Sequence, residues 1–246
     1  MAKRLTERTG QPFHLITRKE DLTPERLREI APRTVFFPHW SYLIPATIHE
    51  GWECVIFHMT DLPYGRGGSP LQNLIQRGHR ETMLTALRCV AELDAGPVYL
   101  KRPLCLEGSA SEIFLRAASL IETMIETIIR EDPEPQPQQG EPVIFQRRKP
   151  ADSDLSQAPI QSLNDFFDFI RMLDAEGYPR AFLLNRRQVA AQPALGREAP
   201  PQARWPSPPH PVATRREILQ RLAELRHVGI DLGVDGNVDC TQIGPA

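Results

Sequence analysis

Short apolar runs separated by polar turns dominate the first half of the chain. Three of these runs predict strands, at residues 12–17, 34–37 and 53–57. The second and third runs are mainly apolar rather than alternating, which is typical of buried parallel strands. Between the first two strands, Thr23 followed by Pro24 predicts a helix start, because threonine caps a helix and proline fits its first turn. The pattern therefore predicts an α/β fold.

The same pattern continues with a helix and two further strands. The helix is predicted to begin at Ser69, as its N-cap, and to end at Gly78, since glycine suits the left-handed residue that closes a helix. Strands are predicted at residues 85–90 and 97–101, on either side of a turn.

A long amphipathic helix completes this first unit. Ser109 and Glu112 form a capping box, and apolar residues then recur at helical spacing as far as Pro133. The segment 133–140 is too rich in proline for regular structure and marks a boundary. Residues 1–132 are therefore expected to form one domain.

A smaller unit, a linker and a tail follow that boundary. Residues 141–189 are predicted to form a small C-terminal subdomain with a helix that begins at Ser162. Residues 190–211 contain seven prolines and predict a linker. In the tail, residues 212–246, an amphipathic helix precedes two short strands around an Asp-Gly turn, a helix-hairpin arrangement.

Composition and charge narrow the class of protein. The chain has 246 residues, of which 41% are hydrophobic, and this is enough for a substantial core. Lysine and arginine total 29 against 31 acidic residues, a net charge of −2. A nucleic-acid-binding protein usually carries a basic face, so we expect no nucleic-acid partner. No apolar run approaches the length of about 18 residues that a membrane span needs, so we expect no membrane association.

The cysteines and histidines indicate neither disulfides nor a metal site. The four cysteines form no Cys-x-x-Cys pattern, and most lie in apolar runs, which predicts buried, reduced thiols and a cytoplasmic protein; they are Cys54, Cys89, Cys105 and Cys240. The histidines lie apart in the sequence. No two of them are four residues apart, the spacing at which two side chains of one helix could bind the same metal ion.

The clearest chemical signal is a histidine at the end of the third predicted strand. His58 is followed by a loop rich in proline and glycine, and then by the helix that begins at Ser69. In open α/β sheets, ligands bind at the carboxyl ends of the strands. Histidine as a residue type changes its protonation near neutral pH, which suits proton transfer. His58 is therefore the first candidate for catalysis.

Two motifs around this histidine resemble those of the formyltransferases that use 10-formyltetrahydrofolate. That family has an Asn-x-His-x-Ser-Leu-Leu-Pro loop, a following Arg-Gly and proline, and a later Asp-x-Gly-Pro-Ile segment. The interval from His58 to Asp94 is 94 − 58 = 36 residues, close to that of the amino-sugar branch. The matching residues are His58, Thr60, Leu62, Pro63, Arg66, Gly67 and Pro70 in the first motif, and Asp94, Gly96, Pro97 and Val98 in the second.

The resemblance implies a Rossmann-like sheet and an N-formyltransferase activity. It implies that His58, Asp94 and Thr60 are catalytic and that 10-formyltetrahydrofolate is the co-substrate. The acceptor is expected to be a small amine, either a nucleotide-linked amino sugar or an amino-acid or siderophore precursor of nonribosomal peptide biosynthesis. The residues expected to contact the folate are Trp40, Leu62, Pro63, Arg66, Gly67 and Gly96.

The chain departs from the family motif at one important position. Ile56 stands where the family has the asparagine that binds the developing oxyanion, and removing one such donor typically lowers the rate by about 10²–10³. Thr60 and Asn73 are the nearby polar residues that could replace it. The alternative is a catalytically weak or inactive formyltransferase-like protein that binds or docks within a biosynthetic assembly line.

Both ends of the chain carry expectations of their own. The tail resembles the small docking domains of some nonribosomal peptide synthetases, which implies a synthetase as a possible partner. The family's sheet opens with an apolar strand, whereas residues 1–10 are mostly polar and resemble the end of a helix. We therefore expect the sheet to lack its first strand, and a version extended upstream to be more stable.

Overall fold

A computed structural model of the protein describes residues 1–183 and 241–243. Within these residues a six-stranded sheet has the spatial order β1, β8, β2, β3, β5, β6, and β4 and β7 form a separate two-stranded sheet. The strands are β1 (His14–Ile16), β2 (Thr34–Phe37), β3 (Glu53–His58), β4 (Tyr64–Gly67), β5 (Glu81–Arg88), β6 (Val98–Cys105), β7 (Val143–Phe145) and β8 (Thr241–Ile243).

The helices alternate with these strands through the first half of the chain, as the apolar pattern predicts. They are α1 (Ala2–Thr9), α2 (Pro24–Ile30), α3 (Ala46–His49), α4 (Pro70–Gln76), α5 (Ala110–Glu131) and α6 (Leu163–Arg171). The fold is a mixed α/β fold with an open sheet, so the predicted class is confirmed.

Strand pairing positions His58 at the edge where ligands bind in such sheets. β2 and β3 are parallel, as their apolar sequences predict, with Phe37 opposite Ile56. β5 is antiparallel to β3 and places Thr85 opposite His58. The predicted strand 85–90 is shifted, because β5 begins at Glu81, where it pairs with the far end of β6.

The position between β1 and β2 is occupied by β8, from the far end of the chain. Residues 14–16 of β1 pair with β8 in antiparallel orientation, and β8 also pairs with Val35 and Phe36 of β2. Before β1 the chain is helical in α1, and no strand precedes β1 in the described residues. The backbone groups that face this position therefore have partners, and the unpaired edges expected from the sequence are not present there.

The helix caps follow the sequence signals in three of four cases. The side chain of Thr23 accepts a bond from the backbone N–H of Arg26, and capping boxes begin α5 at Ser109 and α6 at Ser162. For α4 the predicted position is confirmed, since Ser69 is the N-cap residue and Pro70 opens the helix, but the expected capping bond of Ser69 is not formed. Its side chain makes no capping bond in α4, because its hydroxyl oxygen instead accepts from the backbone N–H of Arg148 and from the hydroxyl of Tyr178.

The core lies between the sheet and α5. The buried face of α5 contributes Ile113, Ala117, Ile121, Met124 and Ile125, all at most 1% exposed. A second apolar cluster, which includes Leu27, Val35, Phe37, Ile48 and Cys54, is formed by residues of α2, β2, α3 and β3. The two faces of the sheet are thus covered by different elements, as expected for an α/β fold.

Several predictions about the second half of the chain meet the structure only in part. In the predicted subdomain 141–189, residues 178–182 contribute only an isolated bridge between Phe182 and Asp154. The linker 190–211 and the helix and first strands of the tail lie outside the described residues.

The cysteine prediction also holds only in part. Cys54, Cys89 and Cys105 are free, but only Cys54 is buried and Cys105 is exposed; Cys240 lies outside the described residues. Among the described helices, none has both the length and the apolar character needed to cross a membrane.

Candidate functional site

His58 ends β3 with its imidazole buried against the loop that follows. The ring is only 8% exposed. Its Nε2 atom lies 2.8 Å from the carbonyl oxygen of Gly65, and its Nδ1 atom lies 3.6 Å from Oδ2 of Asp94. A carbonyl oxygen can only accept a hydrogen bond, so Nε2 carries the proton of the neutral ring. Nδ1 is then left with a free lone pair on the side of the carboxylate.

Asp94 reaches this position from the turn between β5 and β6. Its backbone has φ of 53°, in the left-handed region that few residues other than glycine adopt. Its Oδ2 atom accepts a 2.9 Å hydrogen bond from the backbone N–H of Gly67. The carboxylate is therefore held between β4 and the imidazole of His58.

The glycines of the loop permit a close approach between β4 and β7. Gly65 has φ of 80°, and a Cβ atom there would lie 2.7 Å from Cγ2 of Thr60 and 2.8 Å from the ring of Phe145. At Gly67, with φ of 103°, a Cβ atom would overlap the carbonyl oxygen of Phe145. Side chains larger than glycine would thus separate the two strands and move the carbonyl that holds His58.

The other residues of the first motif lie around this loop. Thr60 is fully buried, donates weakly to the Gly65 carbonyl at 3.3 Å, and its own carbonyl accepts a 2.7 Å bond from Thr85. Leu62 is buried, and the carbonyl oxygen of Pro63 accepts from the backbone of β7. The structure therefore brings the first motif together with Asp94.

Arg66 and Gly96 complete the contacts between the two motifs. The guanidinium of Arg66 donates to the side-chain oxygen of Gln138 at 2.9 and 3.1 Å and pairs with Glu92. Gly96 lies against β5 so closely that a Cβ atom would overlap the carbonyl oxygen of Arg88. This packing fixes the turn that carries Asp94.

Trp40 lies apart from this group, beyond the carboxyl end of β2. Its ring contacts Phe37 and Tyr42 edge to face, and it packs against the second apolar cluster. Two buried nitrogen atoms in this segment, Nε1 of Trp40 and Nε2 of His39, have no hydrogen-bond partner in the described chain. Burial lowers the pKa of His39 to about 4.

The structure distinguishes between the two candidates for the missing oxyanion donor. The amide nitrogen of Asn73 donates to the carbonyl oxygens of Gly68, Ser69 and Gln146 at 3.0–3.1 Å. Its side-chain oxygen accepts from Arg77 at 2.8 Å. Asn73 therefore has a full set of partners and serves to hold the loop.

Ile56 and Thr60 are the other two residues that bear on which group could donate a hydrogen bond to the oxyanion. Ile56 is partly buried and packs against the second apolar cluster. Within the part of the chain that the structure describes, the hydroxyl of Thr60 donates one long bond, to Gly65, so it has more freedom to donate elsewhere than Asn73 does.

Two contributors to the site could not be found from the sequence pattern. The carbonyl of Gly65 acts through the backbone, and only the position of this glycine inside the motif points to it. Gln138 lies in the proline-rich segment 133–140, and its contacts with Asp94 span 44 residues. No periodicity or motif in the chain signals a contact of that kind.

The described residues contain no group of three or more histidine, cysteine, aspartate or glutamate side chains placed to bind a metal ion.

Comparisons with known proteins agree with the motifs. Residues 150–188 match the family described as the methionyl-tRNA formyltransferase C-terminal domain. The chain is 31% identical over 134 residues to the methionyl-tRNA formyltransferase of Dichelobacter nodosus, an alignment that covers 48% of this chain. That alignment covers 43% of the relative, so the chain matches less than half the length of this curated protein.

Solved structures extend the similarity over most of the chain. A methionyl-tRNA formyltransferase from Clostridium thermocellum is 46% identical with a TM-score of 0.70, and the match covers 74% of this chain and 81% of that one. The likely sugar N-formyltransferase Rv3404c from Mycobacterium tuberculosis is 21% identical with a TM-score of 0.58, covers 81% and 93% of the two chains, and shares the fold. On these grounds the chain belongs to the formyltransferase family.

Proposed function

We propose that the protein is an N-formyltransferase that moves a formyl group from 10-formyltetrahydrofolate to a primary amine. The observation that carries the proposal is the pair of His58 and Asp94 at the end of a buried strand. Since Gly65 fixes the proton of the neutral ring on Nε2, Nδ1 of His58 is the atom that can accept another proton.

Formyl transfer needs such a base. The attacking amine nitrogen forms a bond to the formyl carbon and must lose a proton. When bound, 10-formyltetrahydrofolate would supply the activated formyl carbon. Nδ1 of His58 would take the proton from the amine, and the carboxylate of Asp94 at 3.6 Å would stabilise the resulting imidazolium. His58 would then return the proton to the leaving nitrogen, so that one N–H bond is lost and one is formed.

The residues present suit a folate. Nε1 of Trp40 and Nε2 of His39 are buried at the carboxyl end of β2, the strand next to β3, and neither atom has a hydrogen-bond partner within residues 1–183 and 241–243. A pteridine ring offers hydrogen-bonding groups that could satisfy such atoms. We propose that Trp40 contacts this ring, together with the other residues that the resemblance assigns to the folate, which are Leu62, Pro63, Arg66, Gly67 and Gly96.

A cluster of basic side chains beside the loop favours an acceptor that carries phosphate. Arg147 packs against Gly68, and Arg77 lies over the ring of Phe145, with 4.4 Å to its centroid. The cluster consists of Arg77, Arg147, Arg148 and Lys149. Arg148 interacts with Asp152, whereas Arg77, Arg147 and Lys149 form no ion pair with the described carboxylates. Arginine binds phosphate well, so we favour a nucleotide-linked amino sugar over an amino-acid or siderophore precursor.

A second candidate is a folate-binding or docking protein without significant turnover. The observation in its favour is Ile56, whose apolar side chain packs away in the second cluster at the family's oxyanion-binding position. A synthetase that binds the tail, residues 212–246, would be the partner in that case.

Turnover measured by mass spectrometry tests these alternatives. The purified protein would be incubated with 10-formyltetrahydrofolate and three acceptors in parallel: a nucleotide-linked amino sugar, a free amino acid, and methionyl-tRNA, the substrate named for the Clostridium relative. We expect the amino sugar to gain one formyl group, and His58→Asn to abolish the product. Formylation of the tRNA alone would overturn the proposed amino-sugar acceptor in favour of methionyl-tRNA. Folate binding without any product would overturn the proposed transferase activity and support the folate-binding or docking protein.

A further inference from the structure

Gln138 connects the two halves of the site through a single side chain. Its amide nitrogen donates to the backbone carbonyl oxygens of Asp94 at 2.8 Å and Gly96 at 2.9 Å. Its amide oxygen accepts from Nε and Nη2 of Arg66 at 3.1 and 2.9 Å. All four hydrogen-bonding positions of this amide are therefore used, two toward the Asp94 turn and two toward β4.

The turn that Gln138 holds needs such support. Asp94 has a left-handed backbone conformation, which is unfavourable for a residue other than glycine. A conformation of this kind persists only where surrounding contacts specify it. Gln138 binds the carbonyl of Asp94 itself and that of Gly96, two residues further on, and so fixes the peptide planes on the carboxyl side of Asp94.

The segment that carries Gln138 is itself anchored on both sides. Two backbone bonds of 2.7 and 2.8 Å join Gln136 to Val98, the first residue of β6. Gly140 lies near the ring of Pro63, in the loop that follows β3. The proline-rich segment 133–140 is therefore fastened between β6 and this loop, which gives the Gln138 side chain a fixed base.

We propose that Gln138 is a positioning residue for formyl transfer, holding the Asp94 turn so that its carboxylate faces Nδ1 of His58. The inference rests on the proposed function for its kinetic part. It acts through backbone carbonyls, so the side chain of Gln138 need not touch a substrate. A displacement of about 1 Å at a reacting group can lower the rate by about 10²-fold, so a small movement of the turn is sufficient.

Gln138→Glu tests the amide nitrogen, the part of the side chain that donates to the Asp94 turn. The glutamate keeps an acceptor for Arg66 but removes both N–H donors to the carbonyls of Asp94 and Gly96. We expect kcat to fall about tenfold or more while the affinity for 5-formyltetrahydrofolate, measured by fluorescence, changes less than about twofold. Gln138→Met, which adds no charge, should lower kcat similarly. Gln139→Glu makes the same charge change at the exposed neighbouring residue and should match the wild type.

A double-mutant cycle with Asp94→Asn separates positioning from general destabilisation. If Gln138 acts through Asp94, adding Gln138→Glu to Asp94→Asn should lower kcat by less than about twofold. Losses that simply multiply, or unchanged kcat in both Gln138 variants, would overturn the inference.

Amide hydrogen exchange at Gly67 provides a readout that needs no activity. This N–H donates to Oδ2 of Asp94, so it should exchange about tenfold faster in both Gln138 variants and normally in Gln139→Glu. Unchanged exchange in the Gln138 variants would overturn the positioning role. Absence of transfer by the wild type with every acceptor would instead overturn the proposed function, and the exchange experiment would still decide the role of Gln138.

Discussion

Oδ2 of Asp94 contacts two groups at once, the Nδ1 atom of His58 at 3.6 Å and the backbone N–H of Gly67 at 2.9 Å. The second contact joins the Asp94 turn to β4, whose Gly65 carbonyl holds the opposite nitrogen of the same imidazole. The imidazole thus lies between these two elements, with a hydrogen bond at Nε2 and the Asp94 carboxylate facing Nδ1.

Replacement of either member of this pair should remove activity without unfolding the protein. We expect His58→Asn and Asp94→Asn each to lower kcat by about 10² or more, as is usual for groups that transfer protons. Circular dichroism and thermal melts should remain close to those of the wild type. His14→Asn, at an exposed histidine in β1, serves as the control. Full activity in both site variants would contradict the assignment.

Gly96 should tolerate no side chain. A Cβ atom would overlap the carbonyl oxygen of Arg88, a backbone atom that cannot rotate away. We expect Gly96→Ala to lower the free energy of unfolding by more than about 3 kcal/mol and to reduce transfer. Gly78→Ala is the control, because Gly78 has φ of 78° but no atom near the new methyl group. Its cost should be about 1 kcal/mol. Urea denaturation measures both, and equal costs would count against the steric argument.

Asn73 and Thr60 should respond to substitution in different ways. Asn73→Ala removes three hydrogen bonds to backbone carbonyls, so we expect it to lower the free energy of unfolding by about 2–4 kcal/mol. Thr60→Val removes only a 3.3 Å bond and keeps the shape of the side chain. A large fall in kcat with unchanged stability in Thr60→Val would identify its hydroxyl as the oxyanion donor. Unchanged kcat would leave that role to a backbone N–H.

The ion pair between Arg4 and Glu122 should matter more than exposed pairs of the same type. Glu122 is 3% exposed, and Nε of Arg4 donates to its two carboxylate oxygens at 2.9 and 3.1 Å. Among the described cations, Arg4→Met leaves this carboxylate with the more distant Arg8 and the N-terminal amino group, so we expect a loss of about 2 kcal/mol in urea denaturation. Arg18→Met breaks an exposed pair with Asp21 and should have little effect on the free energy of unfolding.

The pH dependence of this loss has a definite sign. The hydrogen bond from Arg4 holds the pKa of Glu122 below its usual range. The folded state therefore releases this proton more readily than the unfolded state, and the stabilisation is present at neutral pH and lost as the pH falls through the acid range. The difference in stability between the wild type and Arg4→Met should shrink below about pH 4. A difference that does not vary with pH would contradict the assignment of the effect to the carboxylate.

His39 should make the fold less stable in mild acid. Burial lowers its pKa to about 4, whereas an unfolded histidine titrates near 6.5. The unfolded state therefore binds a proton first, and the free energy of unfolding should fall as the pH drops from about 6.5 to about 4, by on the order of 2 kcal/mol. His39→Asn, which does not titrate and tolerates the left-handed backbone at this position, should show a flatter profile. Identical profiles would refute this role for His39.

The sequence predicts the parts of this fold that depend on local pattern. The apolar strands β2 and β3 and the capped helices α2, α5 and α6 follow from burial and from hydrogen bonds within a few residues. The motif around His58 was visible because its residues adjoin in the chain. Predictions failed where the decisive contact is distant. Ser69 is an example in part, because it begins α4 as predicted but its hydroxyl bonds to Arg148 and Tyr178 rather than to its own helix.

Distance also explains what the sequence left open at the site. From the sequence, Asn73 is a candidate oxyanion donor. Its contacts with Gly68 and Gln146, which the sequence does not reveal, indicate a structural role instead. Gln138 gave no signal at all, since a side-chain bond to a carbonyl 44 residues away leaves no trace in periodicity. The pairing of β8 between β1 and β2 is likewise a contact across the whole chain.

The pairing of β7 with β4 has a consequence for recombination between relatives. β7 follows the proline-rich segment, yet Phe145 forms the wall against which Gly65 and Gly67 lie. A chimera joined at residue 140 would take β7, with Phe145, from the second parent together with the C-terminal residues. A strand from the other protein would then lie beside β4 and the loop that follows β3. A junction near residue 150, where the match to the C-terminal domain family begins, would keep β4 and β7 from one parent. Exchange of acceptor specificity among formyltransferases should therefore succeed more often at the later junction.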